Sequence, residues 1–150
     1  MLNIDITDGN GKKVINFGFI SKVFNNWPKQ LKADIVDELT IGVVLIRNRI
    51  LLSMRNTKRA SWFYMRSGQR HYPSAPGSPP AIDRGELIRA ITMDADINSV
   101  EVGATAGAPY AQNLEDGTKK MKARPWLQPA VDAELTGVVE RVIKRINKSI

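Results

Sequence analysis

Residues 28–54 read PKQLKADIVDELTIGVVLIRNRILLSM. Leu31, Ile35, Leu39, Gly42, Ile46 and Ile50 recur there at spacings of three and four. Positions so spaced fall on one face of a 3.6-residue helix, so the stretch predicts one long amphipathic helix over about 29–54. Pro28 suits its entrance, because proline has no N–H to leave unsatisfied in a first turn. Asp34, Asp37 and Glu38 lie towards the start and Arg47, Arg49 and Arg55 towards the end, the polarity that the helix dipole favours. A helix with one apolar face has to bury it, and the flanking segments supply the material.

On the N-terminal side, Leu2, Ile4 and Ile6 alternate with Asn3 and Asp5, the period of a half-buried strand. Asp8, Gly9, Asn10 and Gly11 are strong turn formers, and residues 13–19 read as the returning arm of a hairpin. A single strand followed by a short helix over 20–25 is the alternative. On the C-terminal side, Asp83 and Gly85 introduce a short helix with Leu87, Ile88 and Ile91 on its apolar side. Residues 92–96 and 99–104 read as short strands, Val100 and Val102 alternating with Glu101. Residues 108–116 read as another short helix closed by Gly117. Pro129 then opens the last helix, with Val131, Leu135, Val138, Val142 and Ile146 as its stripe. The sum is an α+β domain over 1–150: a small mixed or antiparallel sheet packed against two long amphipathic helices, with a long Pro-rich loop.

That loop, 55–82, carries little regular pattern. Trp62, Phe63, Tyr64 and Tyr72 are interleaved with Arg59, Arg66, Arg70 and His71, and Pro73, Pro76, Pro79 and Pro80 follow. Loops of this length are usually functional or disordered, rarely passive. Such aromatics can stack nucleobases, but more often anchor a loop to its own core or to a partner subunit.

The net charge of +7 is uneven. Residues 41–82 hold no Asp or Glu but contain Arg47, Arg49, Arg55, Lys58, Arg59, Arg66 and Arg70. A second acid-free stretch, 117–131, holds Lys119, Lys120, Lys122 and Arg124. Blocks of this kind attract polyanions, so non-specific DNA contact through 41–82 is one reading. Solvated faces, or contacts to acidic surfaces of a neighbouring subunit, are the other. No run reaches the roughly 18 apolar residues a membrane span needs, so no membrane partner is expected. No basic-then-apolar leader opens the chain, so a secretion signal is not expected either. Cysteine is absent, which rules out disulfides and thiolate chemistry and suits folding in a reducing cytoplasm. With His71 the sole histidine, a multi-histidine metal centre cannot form.

Residues 109–130, PYAQNLEDGTKKMKARPWLQPA, are dense in turn and capping residues. Tyr110 and Ala111 follow a proline, Glu115 precedes the Gly117–Thr118 turn, and Pro125 and Pro129 bracket Trp126 and Leu127. Glu115 can bond locally at a helix end or pair with Arg124. Trp126 can staple the helix entry to the core or reach a neighbour, and the latter is the reading adopted for it and for Arg124. A metal at Glu115 and Asp116, or a triad of His71, Ser74 and Asp83, lacks the spacing such sites require.

Taken in order, three segments resemble the small neck and minor tail proteins of long-tailed bacteriophages, which show P-G-x-P-P…G-x-L, then Y-A-x-x-x-E-x-G-T, a basic stretch and R-P-F-L-x-P-A. Pro76, Gly77, Pro79, Pro80, Gly85 and Leu87 match the first part. Tyr110, Ala111, Glu115, Gly117 and Thr118 match the second, and Arg124, Pro125, Leu127, Pro129 and Ala130 the third. Trp126 stands in place of the usual Phe, and Arg84 where Thr is common. A related phage virion-morphogenesis family shares the later segments and an I-G-containing helix like Ile41–Gly42. The resemblance implies a structural virion protein without enzymatic turnover or cofactor, assembled in the host cytoplasm. It implies a ring, typically a hexamer, that completes the tail or joins tail to head. Its partners would be further copies of itself and head-completion, tail-terminator or tail-tube subunits. The interface residues implied are Pro76, Gly77, Pro79, Pro80, Tyr110, Glu115, Gly117, Lys119, Lys120, Arg124 and Trp126.

Overall fold

A computed structural model of the chain describes residues 6–8, 12–16, 26–95, 99–104 and 108–149; the expected strand residues 2–5 and the helix alternative at 20–25 lie outside these. The long helix, α1, spans Lys29–Arg55 and buries Leu31, Ile35, Leu39, Gly42, Val43, Ile46, Ile50 and Met54. Its start has no side-chain cap; the N–H of Lys32 bonds the carbonyl of Pro28 at 3.2 Å. The acids expected to serve the dipole begin only after the first turn, where that effect has faded. They do other work. Asp34 accepts from Gln30 (2.9 Å), and Glu38 receives Arg145 at 3.0 Å and Arg141 at 3.7 Å from the last helix.

Four strands form an antiparallel sheet in the order β1–β2–β6–β5: β1 Ile6–Asp8, β2 Lys12–Asn16, β5 Ile91–Ala95 and β6 Ser99–Ala104. The chain is therefore α+β with an antiparallel sheet. β5 and β6 lie against α1, and the final helix, α4 (Gln128–Ser149), packs along α1. Of the two long helices expected on the sheet, α1 is the one that lies against β5 and β6, and α4 packs along α1. Ile46 and Ile50 are fully enclosed, each stabilising the fold by about 1.5–3 kcal/mol.

A further correction falls on 55–82, which is no featureless loop. Residues Tyr64–Arg66 (β3) and Gln69–His71 (β4) pair as a hairpin. Its turn is Ser67–Gly68, both with positive φ (50° and 78°), as a tight two-residue hairpin connection requires. Below the strands, Arg59 bridges Ser74, with Ala60 N–H to Pro73 carbonyl and Ala75 N–H to Lys58 carbonyl both at 2.8 Å. The result is a continuous arm from 58 to 75. Two short helices complete the fold, α2 (Glu86–Ala90) and α3 (Ala111–Asp116). No helix among the described residues is long and apolar enough to cross a membrane.

Gly42 marks a close approach of α1 and α4. A Cβ built there would lie 2.5 Å from Cγ2 of Val138 and 3.0 Å from its Cγ1. Glycine inside a helix costs about 1 kcal/mol relative to alanine, so this close approach is the reason for it. Gly42→Leu is expected to destabilise the protein by about 1–3 kcal/mol through overpacking. Thermal melts should show a loss of several degrees, and an unchanged melt would mean the two helices separate easily at this point.

Candidate functional site

The three signature segments meet. Helix α3 ends by aiming Glu115 back across the chain at the entrance of α4. Its Oε2 accepts the backbone N–H groups of Trp126 (2.8 Å) and Leu127 (2.9 Å), and its Oε1 that of Gln128 (2.8 Å). A helix start exposes N–H groups with no partner inside the helix and carries a partial positive charge. One carboxylate answers both. Glu115 thus neither bonds locally nor pairs with Arg124, as the sequence suggested; it caps a helix thirteen residues on.

Gly117 makes the reversal possible. Its φ is +78°, and a Cβ there would lie 2.7 Å from the N of Ala123 and 2.9 Å from the carbonyl O of Met121. Both the conformation and the space exclude a side chain. Thr118 and Met121 exchange backbone bonds (2.8 and 3.2 Å), which folds the basic run into a tight turn with Lys119 and Lys120 exposed at its tip. The chain then returns past α3, the Arg124 N–H bonding the Leu114 carbonyl at 2.6 Å.

Trp126 is a core residue, which overturns its expected interface role. It is 2% exposed, and its indole N–H donates to the Ala111 carbonyl at 3.1 Å. Leu127 beside it is 1% exposed. The ring is thus enclosed and tied to α3.

The Pro-rich loop is fastened onto the same junction. Gly77 N–H bonds the Ala123 carbonyl at 3.0 Å, Arg124 Nε donates to the Ser74 carbonyl at 3.3 Å, and Thr57 Oγ1 donates to the Pro79 carbonyl at 2.6 Å. Ser74 and Pro80 are buried, Pro79 is half-buried, and only Pro76 and Gly77 stand exposed. Pro80 and Trp126 are therefore not surface residues, and Arg124 is a half-buried tie between segments. Tyr110 is exposed at the edge and donates to Glu86 Oε2 at 3.4 Å. Partial burial, and then the neighbouring Glu86 carboxylate, raise its phenol above the ordinary tyrosine value.

The feature that sequence reading missed is the arm. Trp62, Phe63, Tyr64, Met65 and Tyr72 are all exposed, Met65 by 61%. Alternation divides them. Tyr64 stacks near His71 (4.9 Å between centroids), and Arg66 and His71 both reach Asp83, His71 Nδ1 at 3.5 Å. That side leans on the body and walls a cleft of about 360 Å³ shared with Leu87, Tyr110 and Arg124. On the other side Phe63 packs against Tyr72 (5.5 Å), and the guanidinium of Arg70 sits 4.7 Å over the Phe63 ring. The clue was Ser67–Gly68 between two polar–aromatic runs, a two-residue turn signal outweighed by the prolines that follow.

The basic block is dispersed by this folding. Arg49 pairs with Glu134 of α4 and Arg66 with Asp83, while Arg59 donates to the Tyr72 carbonyl at 2.8 Å. Arg55 and Lys58 are exposed at the α1 exit, and Arg47 is half-buried. Among the described residues no group of three or more His, Asp or Glu is placed to hold a metal ion. Compared with known proteins, the chain matches no family model, no curated protein and no solved structure.

Two changes test the junction. Glu115→Ala leaves three helix-entrance donors without their acceptor and is expected to cost roughly 2–4 kcal/mol. Trp126→Ala is expected to cost about 3–5 kcal/mol, enough to unfold a marginal domain. Lys119→Ala and Lys120→Ala, at the exposed tip, should stay within about 0.5 kcal/mol of the parent. Denaturant titrations followed by circular dichroism separate these outcomes, and a stable Trp126→Ala protein would contradict the packing described.

Proposed function

We propose that this chain is a structural virion protein of a tailed bacteriophage, placed in the neck or tail. Copies form a ring that completes the tail or joins it to the filled head, and sixfold symmetry is what the family resemblance implies. The observation that supports this reading is the convergence of the three signature segments on one junction. The residues with least freedom there, Glu115 with its three N–H donors and Gly117 with no room for a Cβ, are ones the resemblance matched. Much of the motif therefore serves as a frame, and the frame carries surfaces: Pro76, Gly77, Tyr110, Lys119 and Lys120 at the junction, and the aromatic arm beside it.

In this reading the protein works through interfaces and not turnover. The arm's composition favours it, since tryptophan, tyrosine and arginine dominate the energetics of protein–protein contacts. Its partners are further copies of the chain and the neighbouring head-completion, tail-terminator or tail-tube subunits, and its place is the virion. Disrupting the coding sequence in the phage or prophage that carries it, with electron microscopy of the lysate, tests the proposal. Separate full heads and tails, or tails of irregular end, are expected. Normal infectious virions would remove the protein from assembly.

A further inference from the structure

We infer that two copies of the chain pair antiparallel along the outer face of α1, Asp37 of each copy meeting Arg55 of the other and Ile41 packing on Leu52. The contact uses one surface twice, so it goes beyond the ring proposed above and does not depend on it.

Helix α1 carries a second stripe besides the buried one. Asp37, Ile41, Val44, Asn48, Leu52 and Arg55 follow one another at spacings of four, three, four, four and three, so they share a face. All six are exposed, Ile41 by 48% and Leu52 by 56%. The buried residues of the helix, Gly42, Ile46 and Ile50 among them, lie on its other side. Exposed apolar residues scattered singly need no explanation. Three of them on one stripe, at the spacing by which helices pair, mark a seam.

The stripe is complementary to itself. Its acid lies at one end and its base at the other, and neither is in an ion pair among the described residues. Asp37 and Arg55 each stand nine residues from residue 46; Ile41 stands five before it and Leu52 six after. An antiparallel copy with its two-fold axis beside residue 46 therefore sets Asp37 level with the partner's Arg55. It sets Ile41 level with the partner's Leu52 to within one residue's rise, about 1.5 Å. A parallel copy would oppose Asp37 to Asp37 and Arg55 to Arg55, so charge selects the antiparallel arrangement. The apolar side chains supply the burial, and the charge pairs at the two ends fix the register.

Cysteine cross-linking tests the geometry, because the chain has no cysteine of its own. Mixed under mild oxidation, Ile41→Cys and Leu52→Cys chains are expected to give a disulfide-linked dimer. Either alone is not, since its two thiols would lie roughly 15 Å or more apart along the helices, beyond the reach of a disulfide. Sedimentation velocity reads the charge pairs. Asp37→Arg and Arg55→Asp are each expected to weaken pairing about tenfold or more, each change being felt at both ends of the contact. The double variant Asp37→Arg/Arg55→Asp should recover it, and all variants should keep the parent's circular dichroism spectrum. Single-cysteine chains that link to themselves, a mixture that stays unlinked, or a double charge variant that stays apart each overturns the inference. None of these results bears on the ring, whose head-to-tail contacts join unlike surfaces.

Discussion

A single carboxylate holds the C-terminal half of this protein together. Glu115 lies near the end of a helix of six residues, and both of its oxygens accept N–H groups at the entrance of α4, those of Trp126 and Leu127 just before it and of Gln128 at its first residue. Those donors would otherwise face a partly buried corner with nothing to accept them, a loss of about 1–3 kcal/mol each. Because the acceptor is charged and the helix start is partially positive, the interaction also fixes direction: α4 can leave the junction one way only. Downstream, Val138 approaches Gly42 and Arg145 reaches Glu38. Upstream, the bend at Gly117 lets Arg124 and Ala123 reach Ser74 and Gly77.

The junction in turn supplies the base of the arm. Ser74 is shared: it takes part in the last bridge of the arm and its carbonyl receives Arg124. Asp83 is the second support, meeting Arg66 of β3 and His71 of β4 on the inner side of the arm. A short hairpin with exposed aromatics thus acquires a defined direction although it carries little stabilisation of its own. The buried polar contacts set geometry and leave the aromatic area of the arm exposed.

Charge follows the same logic. Residues 41–82 attract attention as an acid-free block, yet folding sends its cations in different directions. Arg49 and Arg66 go to acids supplied from outside the block, Arg59 to a carbonyl, and Arg70 to an aromatic face. Such exposed pairs add little stability individually.

What the sequence determined by itself is whatever depends on periodicity and on backbone chemistry. The i, i+3, i+4 pattern of 31–50 and the stripe from Val131 to Val142 specify two long helices, because helical spacing alone decides which side chains share a face. Gly117 was legible as a helix end for the same local reason, its left-handed φ. The tertiary structure decided the contacts that span sequence distance. Glu115 looked like a turn residue, since nothing local announces donors eleven to thirteen residues away. Trp126 looked available to a partner until Ala111 closed over it. The arm at 58–75 was hidden because its strands are three residues long, too short for alternation to be counted, and because Asp83, which supports it, lies beyond the prolines. Periodicity is a property of neighbours along the chain; capping, burial and support are properties of neighbours in space, and here the candidate site is made almost entirely of the second kind.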